Sequence, residues 1–97
     1  MLNPVQLFTA NDATPSVAAG NRFKTANSSA TTITMFDSGK NGQQITVIVA
    51  DANTTIDFTG TNLKGNAGTN WSPGSGDWLE GFFDGTNWYC SVHDCTA

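Results

Sequence analysis

The stretch 42-GQQITVIVADANTTI-56 decides the fold of this chain. Side chains of an extended strand alternate between two faces, so Ile45, Val47 and Val49 share one face. The opposite face carries a mixture of threonine, isoleucine and alanine, and neither face is plainly polar. A nearly continuous β-branched run of this kind predicts a strand that is covered on both sides.

The composition indicates a small folded domain that is rich in strands and turns. Thr, Asn and Gly together supply 34 of the 97 residues, and only 12% of residues are charged. Threonine favours strands, whereas Gly, Asn and Asp favour turns. We expect an all-β fold, a small β-sandwich or β-prism-like domain with a C-terminal aromatic hairpin. The predicted strands lie near residues 22–26, 31–37, 43–51, 54–59, 78–83 and 87–92.

Charge and motif content argue against several functions. The formal net charge is -4 with four basic residues, which gives no electrostatic footprint for nucleic acid. No apolar stretch approaches the length of a membrane span, so no membrane insertion is expected. His93 is the only histidine, and no nucleophile lies in a recognisable catalytic motif. We therefore expect neither an enzyme nor a bound cofactor.

Residues 1–20 differ from the remainder of the chain, because they contain two prolines and no strand-length β-branched run. This composition predicts an extended N-terminal arm ahead of a β-domain of residues 21–97. Apolar side chains in such an arm need a surface, so they either bind another subunit or pack on the arm's own domain. The candidate contact residues of the arm are Leu2, Val5, Leu7 and Phe8.

Two segments of the chain weakly repeat each other. The stretches 26-ANSSATTITMF-36 and 52-ANTTIDF-58 both place Ala-Asn ahead of Thr-Thr-Ile. Two copies are too few to predict a solenoid, in which three or more units share a core. The repeat instead predicts similar turns that lead into two strands.

The stretch 77-DWLEGFFDGTNWYCSV-92 is the clearest local unit. DGTN separates two aromatic-rich runs, which is typical of a hairpin with a short glycine-containing loop. Trp78 and Phe82 share one face of the first strand, and Trp88 returns on the second. Cross-strand aromatic pairs of this kind contribute roughly 0.2 to 1 kcal/mol each.

The segment CSVHDC places Cys90, His93 and Cys95 close together in sequence. Zinc sites normally take four ligands from two separated pairs, and a straight strand points Cys90 away from the other two residues. No metal site is predicted. Two alternatives remain open: a Cys90–Cys95 disulfide, which needs a turn near Val92 and an oxidising environment, or free thiols.

Acidic residues offer two further candidate sites. Asp77, Glu80 and Asp84 cluster in the hairpin and are candidates for a glycosidase carboxylate pair. Asp51, Asn53 and Asp57 are candidate oxygen ligands for calcium, although no calcium-loop motif surrounds them. Turn formation and solvent exposure explain all six residues equally well, so no catalytic or metal role is predicted.

A longer pattern resembles a known family. The stretch TPSVAAGNRFKTANSSATTITMFDSGKNGQQITVIVADANTTI, followed later by GDWLEGFFDGTNWY, resembles a β-module of bacteriophage virion proteins that include tail-fibre and tailspike C-termini. The resemblance covers residues 14 to 89, and its most specific pieces are TPSV, GNRFKTAN, TTIT, GQQIT and DGTNWY. It implies a β-rich, often intertwined homotrimer, in which sister chains cover surfaces that one chain cannot cover.

The resemblance also supplies the functional expectations. The chain starts at Met1 with a short arm and has no shaft, so we expect a capsid decoration or cement protein that binds the major capsid protein. Its expected location is the virion, after assembly in the host cytoplasm. The alternative is a tail-fibre or tailspike tip that binds host-surface carbohydrate through exposed aromatic rings. Trp71, Trp88 and Tyr89 are the candidates, and Trp71 in the loop GTNWSPGSG is the one expected to be exposed.

The predicted core is shared between the chain and the trimer. Alternation alone does not decide which of its side chains face the chain's own core and which face sister chains. The residues of this set are Phe23, Ile33, Ile45, Val47, Val49 and Ile56.

Overall fold

The structure, a computed structural model, describes residues 4–95. These residues form eight strands and one short 3₁₀ turn, without an α-helix among them, which confirms the expectation of an all-β domain. The elements are β1 (Val5–Leu7), β2 (Arg22–Lys24), β3 (Thr31–Ile33), β4 (Gln44–Ile48), β5 (Thr54–Ile56), β6 (Leu63–Lys64), the 3₁₀ turn (Asn66–Gly68), β7 (Trp78–Phe83) and β8 (Trp88–His93).

The strands form two sheets that enclose the core. The larger sheet has six strands in the order β1-β2-β4-β7-β8-β6, and β7 alone runs antiparallel to its neighbours. The smaller sheet consists of the parallel strands β3 and β5, and Ile56 at the end of β5 also forms an antiparallel bridge with Trp71.

The chain coils between the two sheets. It passes from β2 in the larger sheet to β3 in the smaller sheet, and it repeats this path from β4 to β5. Because β2 pairs with β4 and β3 pairs with β5 in parallel, residues 22–33 and 46–56 are stacked turns of one coil. Ile33 pairs with Ile56 in register, so the Thr-Thr-Ile repeat of the sequence is a structural equivalence. The prediction of similar turns before two strands is confirmed.

Residues 5–17 add a further turn to this coil. β1 pairs in parallel with β2, and the backbone N–H of Phe8 donates to the carbonyl of Lys24 at 2.9 Å. In the other layer, the N–H of Val17 donates to the carbonyl of Asp37 at 2.8 Å. Within the single chain, this segment therefore packs on its own domain, which is one of the two alternatives that the sequence leaves open. Binding of the segment to another subunit stays a prediction.

Three asparagines in successive turns form a ladder where the chain leaves the larger sheet. The side-chain amide of Asn53 donates to the carbonyl of Asn27 at 3.0 Å, and the N–H of Asn11 donates to Oδ1 of Asn27 at 2.8 Å. Asn27 Nδ2 donates to Thr54 Oγ1 at 2.9 Å, and the N–H of Ser28 donates to Asn11 Oδ1 at 3.0 Å. This asparagine ladder gives hydrogen-bond partners to backbone N–H and carbonyl groups at the turns, where strand pairing supplies none.

The hairpin of β7 and β8 completes the larger sheet beside β4. Its loop begins at Asp84, whose Oδ1 accepts from the N–H groups of Thr86 at 2.8 Å and Asn87 at 2.7 Å. Gly85 has a φ of 98°, which side chains other than glycine rarely adopt. The predicted hairpin is confirmed. The backbone hydrogen bonds from Asn87 and Thr86 also hold the pKa of the exposed Asp84 carboxyl below its usual value.

The core lies between the two sheets and is rich in aromatic rings. Trp88 is fully buried, stacks on Phe83 with ring centroids 4.7 Å apart, and meets Phe36 edge-on at 5.8 Å. Its indole N–H donates to the carbonyl of Phe36 at 3.1 Å, so the buried ring has no unpaired donor. All six residues of the predicted core set are buried in the chain's own core: Phe23, Ile33, Ile45, Val47, Val49 and Ile56.

β4 shows how far one chain covers its two faces. Ile45, Val47 and Val49 on its inner face are at most 2% exposed, so the core covers that face completely. Thr46 and Ile48 on the other face are half-buried between neighbouring strands. Cover of this second face by sister chains stays a prediction.

Candidate functional site

The outer face is the side of the six-stranded sheet that points away from the core. Strand register aligns its side chains in three rows across the sheet, and each row crosses four or more strands. The first row is Val5, Arg22, Thr46, Glu80 and Ser91; the second is Leu7, Lys24, Ile48, Trp78 and His93; the third is Gln44, Phe82, Tyr89 and Lys64.

The outer face carries every large apolar side chain that is exposed among residues 4–95. Val5 and Leu7 on β1 are 45% and 69% exposed, and Phe82 and Tyr89 on the hairpin are 50% and 40% exposed. Single exposed apolar residues are common on protein surfaces, whereas their concentration on one face marks an interaction surface. The outer face is therefore the candidate functional site.

Two cross-strand ring pairs stand on the outer face. Phe82 and Tyr89 are stacked with centroids 5.5 Å apart, and Trp78 stacks on His93 at 4.0 Å. The Nε2 atom of His93 is buried and has no hydrogen-bond partner among the described residues. Glu80 belongs to the polar row between the two pairs. The face thus presents flat apolar rings on either side of polar groups.

A groove of about 820 Å³ crosses the outer face and reaches from β2 to β6. Arg22 lies at the β2 end, and Lys64 lies at the β6 end. Glu80, Phe82 and Tyr89 line its middle part. The groove therefore has a cation at each end, with a carboxylate and stacked rings between them.

The local charge of the outer face is opposite to that of the whole chain. Its three rows contain three of the four basic residues, Arg22, Lys24 and Lys64, and one acidic residue, Glu80. These charges sum to +2 (three minus one), whereas the formal net charge of the chain is -4. Local fields of this kind favour ligands of the opposite sign.

Four polar side chains of the groove are free to bind a ligand. The side chains of Arg22, Lys64, Glu80 and Ser91 make no hydrogen bond or ion pair with any residue of the described range. By contrast, the carboxylate of Asp51 accepts from two backbone N–H groups and a threonine hydroxyl of its own corner. Polar side chains such as Asp51 at the turns bind other groups of the chain, whereas these four side chains of the groove do not.

The arm residues occupy different environments. Phe8 is 6% exposed and belongs to the core, whereas Val5 and Leu7 stand exposed on the outer face at the sheet edge. Leu2 lies outside the described residues. Two of the four predicted contact residues are therefore accessible to a partner.

The expectation that Trp71 is exposed is wrong. Trp71 is 5% exposed, and its backbone N–H and carbonyl both pair with Ile56. Its indole N–H donates to Oδ1 of Asp94 at 2.8 Å, so a residue distant in sequence holds the ring. Trp88 is fully buried as well, so Tyr89 is the one accessible ring of the three candidates for carbohydrate contact.

The structure contains free thiols at both cysteines, and the disulfide alternative is not formed. The physical reason is that β8 continues without a turn through Val92 to His93, so Cys90 and Cys95 do not meet. Burial raises the pKa of the Cys90 thiol to about 12, whereas Cys95 is exposed. Among residues 4–95, no three His, Cys, Asp or Glu side chains converge in a way that could hold a metal ion.

The candidate carboxylates do not form a pair. Asp77 and Asp84 flank the six residues of β7 and are seven residue steps apart, which separates them by roughly 24 Å at about 3.4 Å per residue. Asp77 is 3% exposed, and its carboxylate accepts from the N–H groups of Gly74 and Cys95, whereas Glu80 is exposed on the outer face. Glycosidase pairs are only about 5 to 9.5 Å apart.

The calcium candidates serve the turns that contain them. Asp57 accepts from the backbone N–H of Thr59 at 2.8 Å. For the pKa of the Asp51 carboxyl, burial is the largest single effect, and by itself it would raise the pKa. Hydrogen bonds from Thr25, Asn53, Thr54 and Asn27 together hold that pKa below its usual value. Both carboxylates are thus ionised turn-forming groups.

Comparisons of the chain with protein-family models, with curated proteins and with solved structures found no match. Among residues 4–95, no helix is long and apolar enough to cross a membrane. The fold and the outer face define the chain as a compact all-β domain with one uncovered, locally cationic sheet face.

Proposed function

We propose that the chain is a bacteriophage virion structural protein, a homotrimeric capsid decoration protein that binds the major capsid protein and stabilises the head. The viral assignment and the trimer rest on the resemblance of residues 14 to 89 to virion β-modules. The surface that we assign to capsid contact is the free edge of β1.

The exposed apolar edge of β1 is the observation that carries this proposal. β1 is the outermost strand of the six-stranded sheet, its three residues Val-Gln-Leu carry no charge, and Val5 and Leu7 are largely exposed. Soluble proteins usually protect such edges with charges, bulges or a covering segment. An unprotected edge favours pairing with a strand of another chain.

The test is binding to capsids with two matched double variants. V5K/L7K places two charges on the edge of β1, whereas T32K/S72K adds the same charge at exposed positions elsewhere. Neither pair belongs to the core. We expect V5K/L7K to lose co-sedimentation with particles of the major capsid protein and T32K/S72K to retain it. Equal occupancy by both variants would exclude the β1 edge as the contact.

Deletion of the arm is not an informative test, because the structure places Phe8 in the core. Removal of residues 1–12 would also remove β1 and the Asn11 contacts of the asparagine ladder. Loss of capsid binding after this deletion would report unfolding as readily as a lost contact. Point substitutions at exposed positions avoid this difficulty.

The trimer is tested by the native mass in solution. Light scattering during size-exclusion chromatography, repeated after tenfold dilution, should give three times the chain mass of 10.2 kDa. A monomer at both concentrations would refute the trimer. Capsid contact through β1 would then have to be tested for a single chain.

A second candidate function is a tail-fibre or tailspike tip module that binds host-surface carbohydrate. The groove on the outer face and the exposed Phe82–Tyr89 pair favour this function. Rings of this kind provide rigid contact area with an apolar face. An F82S variant that retains its fold should lose binding to host cells. Equal binding of F82S and wild type would exclude this ring pair as the contact.

A further inference from the structure

We infer that the groove on the outer face binds an acidic oligosaccharide, with Arg22 and Lys64 holding anionic groups at its two ends. The inference deepens the second candidate function and rests on it, because it names the class of glycan and the residues that select it. Charge, ring geometry and groove length each support it.

The charges of the groove favour an anion over a neutral sugar. Arg22 and Lys64 line opposite ends of the groove, Lys24 stands in the row of Trp78 and His93, and Glu80 is the one carboxylate among the described residues of the three rows. None of these side chains is neutralised by an ion pair within the described residues. Charged hydrogen bonds to carboxylate or sulfate groups are roughly twice as strong as neutral ones, so the two cations give an acidic glycan the advantage.

The rings favour a sugar over a simple anion. Phe82 and Tyr89 stack side by side in the groove with an interplanar angle of 28°, and they are 50% and 40% exposed. A phosphate or sulfate ion has no apolar face to place on such rings. A pyranose ring has polar edges and an apolar face, and the row that contains Glu80 and Ser91 lies beside the rings. Stacking and hydrogen bonding are therefore available to the same sugar.

The length of the groove indicates an oligosaccharide. It crosses β2, β4, β7, β8 and β6, which are consecutive strands of the sheet. Four inter-strand spacings of about 4.8 Å give roughly 19 Å between its ends. This distance separates Arg22 from Lys64 by more than one sugar unit. The two cations therefore contact different units of one chain.

Paired acidic and neutral glycans test the inference directly. The probes are hexagalacturonate and hexasialate, each compared with its own methyl ester, in calorimetric titrations of the full chain. Within each pair the sugar backbone is the same, and the ester carries a neutral methyl carboxylate where the acid carries a charge. We expect both acids to bind at least about tenfold more tightly than their esters, since two charged contacts are lost. Binding of the acids should also weaken from 50 to 500 mM NaCl, because salt screens exposed charges.

Matched variants identify the cations. K64Q and K40Q each remove one positive charge, but Lys40 lies in the loop before β4 and not on the outer face. We expect R22Q/K64Q to remove the preference for the acid over its ester, K64Q to reduce it, and K40Q to retain it. Circular dichroism and thermal unfolding should be unchanged, because all three side chains are exposed.

Each outcome has a distinct meaning. Equal binding of acids and esters would overturn the inference and leave carbohydrate recognition standing. No binding of any of the four probes would overturn both the inference and carbohydrate recognition by the outer face. If single-stranded dT10 displaces the acidic glycan and binds more tightly, the outer face recognises nucleic acid and the inference fails. Equal loss of preference in K64Q and K40Q would also refute it, because net charge alone would then explain the selectivity.

Discussion

Replacement of Asn27 by alanine tests whether the asparagine ladder holds the coil together. Asn27 is 7% exposed, accepts a hydrogen bond from the N–H of Asn11 and donates one to Thr54 Oγ1. N27A removes both bonds and leaves the backbone N–H of Asn11 without its partner. Thr54 retains its bond to Asp51, so the larger loss is at Asn11.

The expected cost follows from these contacts. Each hydrogen bond contributes about 0.5 to 1.5 kcal/mol net, so the loss of both bonds should lower the free energy of unfolding of N27A by about 1 to 3 kcal/mol. Urea titration followed by tryptophan fluorescence measures this difference. N27D should cost at least as much at pH 7, because its carboxylate would lie beside Asp51, which already accepts from the backbone N–H of residue 27.

The control is N70A, since Asn70 is exposed and its side chain makes no hydrogen bond in the described range. Substitutions at such positions usually change stability by less than about 0.5 kcal/mol. Hydrogen exchange provides a local readout, because the Asn11 amide should lose protection in N27A. If N27A and N70A have the same unfolding free energy, the ladder does not stabilise the coil and the reasoning fails.

Three further predictions concern the core and the titrating groups. G39A should lower the free energy of unfolding by about 1 to 3 kcal/mol in urea titration, because its Cβ would lie 2.5 Å from the buried indole of Trp88 on β8. G20A should be nearly neutral, because its Cβ would meet only the Gln6 side chain, at 4.0 Å. Ellman's reagent at pH 8 should modify exposed Cys95 quickly and Cys90 slowly until urea unfolds the chain. The pKa of Asp51 is depressed in the fold, so the ionised carboxylate stabilises the fold above the ordinary pKa of 3.8, and this stabilisation is lost as pH falls through the folded-state pKa. In D51N, the free energy of unfolding should therefore depend less on pH in the acid range.

Local alternation was sufficient to predict the hairpin and its faces. Side chains of the six residues of β7 alternate between the two faces of the sheet. The sequence therefore places Trp78 and Phe82 on one face, and the structure confirms this. The Thr-Thr-Ile repeat likewise corresponds to two paired strands. In these segments, the strand pattern itself carries the information, because burial of one face fixes the register.

Other features depend on contacts that local sequence does not encode. β1 has three residues, too few to show a period, and its place in the sheet is fixed by pairing with β2. Trp71 is buried because distant residues, Ile56 and Asp94, bind it. The groove needs the register of five strands at once, so Arg22 and Lys64 could not be placed on one face from their sequence positions. The Ala-Asn pairs of the repeat were the one available signal of the asparagine ladder.

Capsid attachment and glycan binding are compatible if they use different parts of the larger sheet. A strand added at the edge of β1 would extend the sheet sideways and leave the groove open, since the groove begins at β2. Sister chains that covered the outer face would instead close the groove and compete with the glycan. We therefore expect saturating hexagalacturonate to leave the trimer mass unchanged in light scattering, with its methyl ester as the control. A fall towards 10.2 kDa with the acid alone would place the trimer contact in the groove and contradict this arrangement.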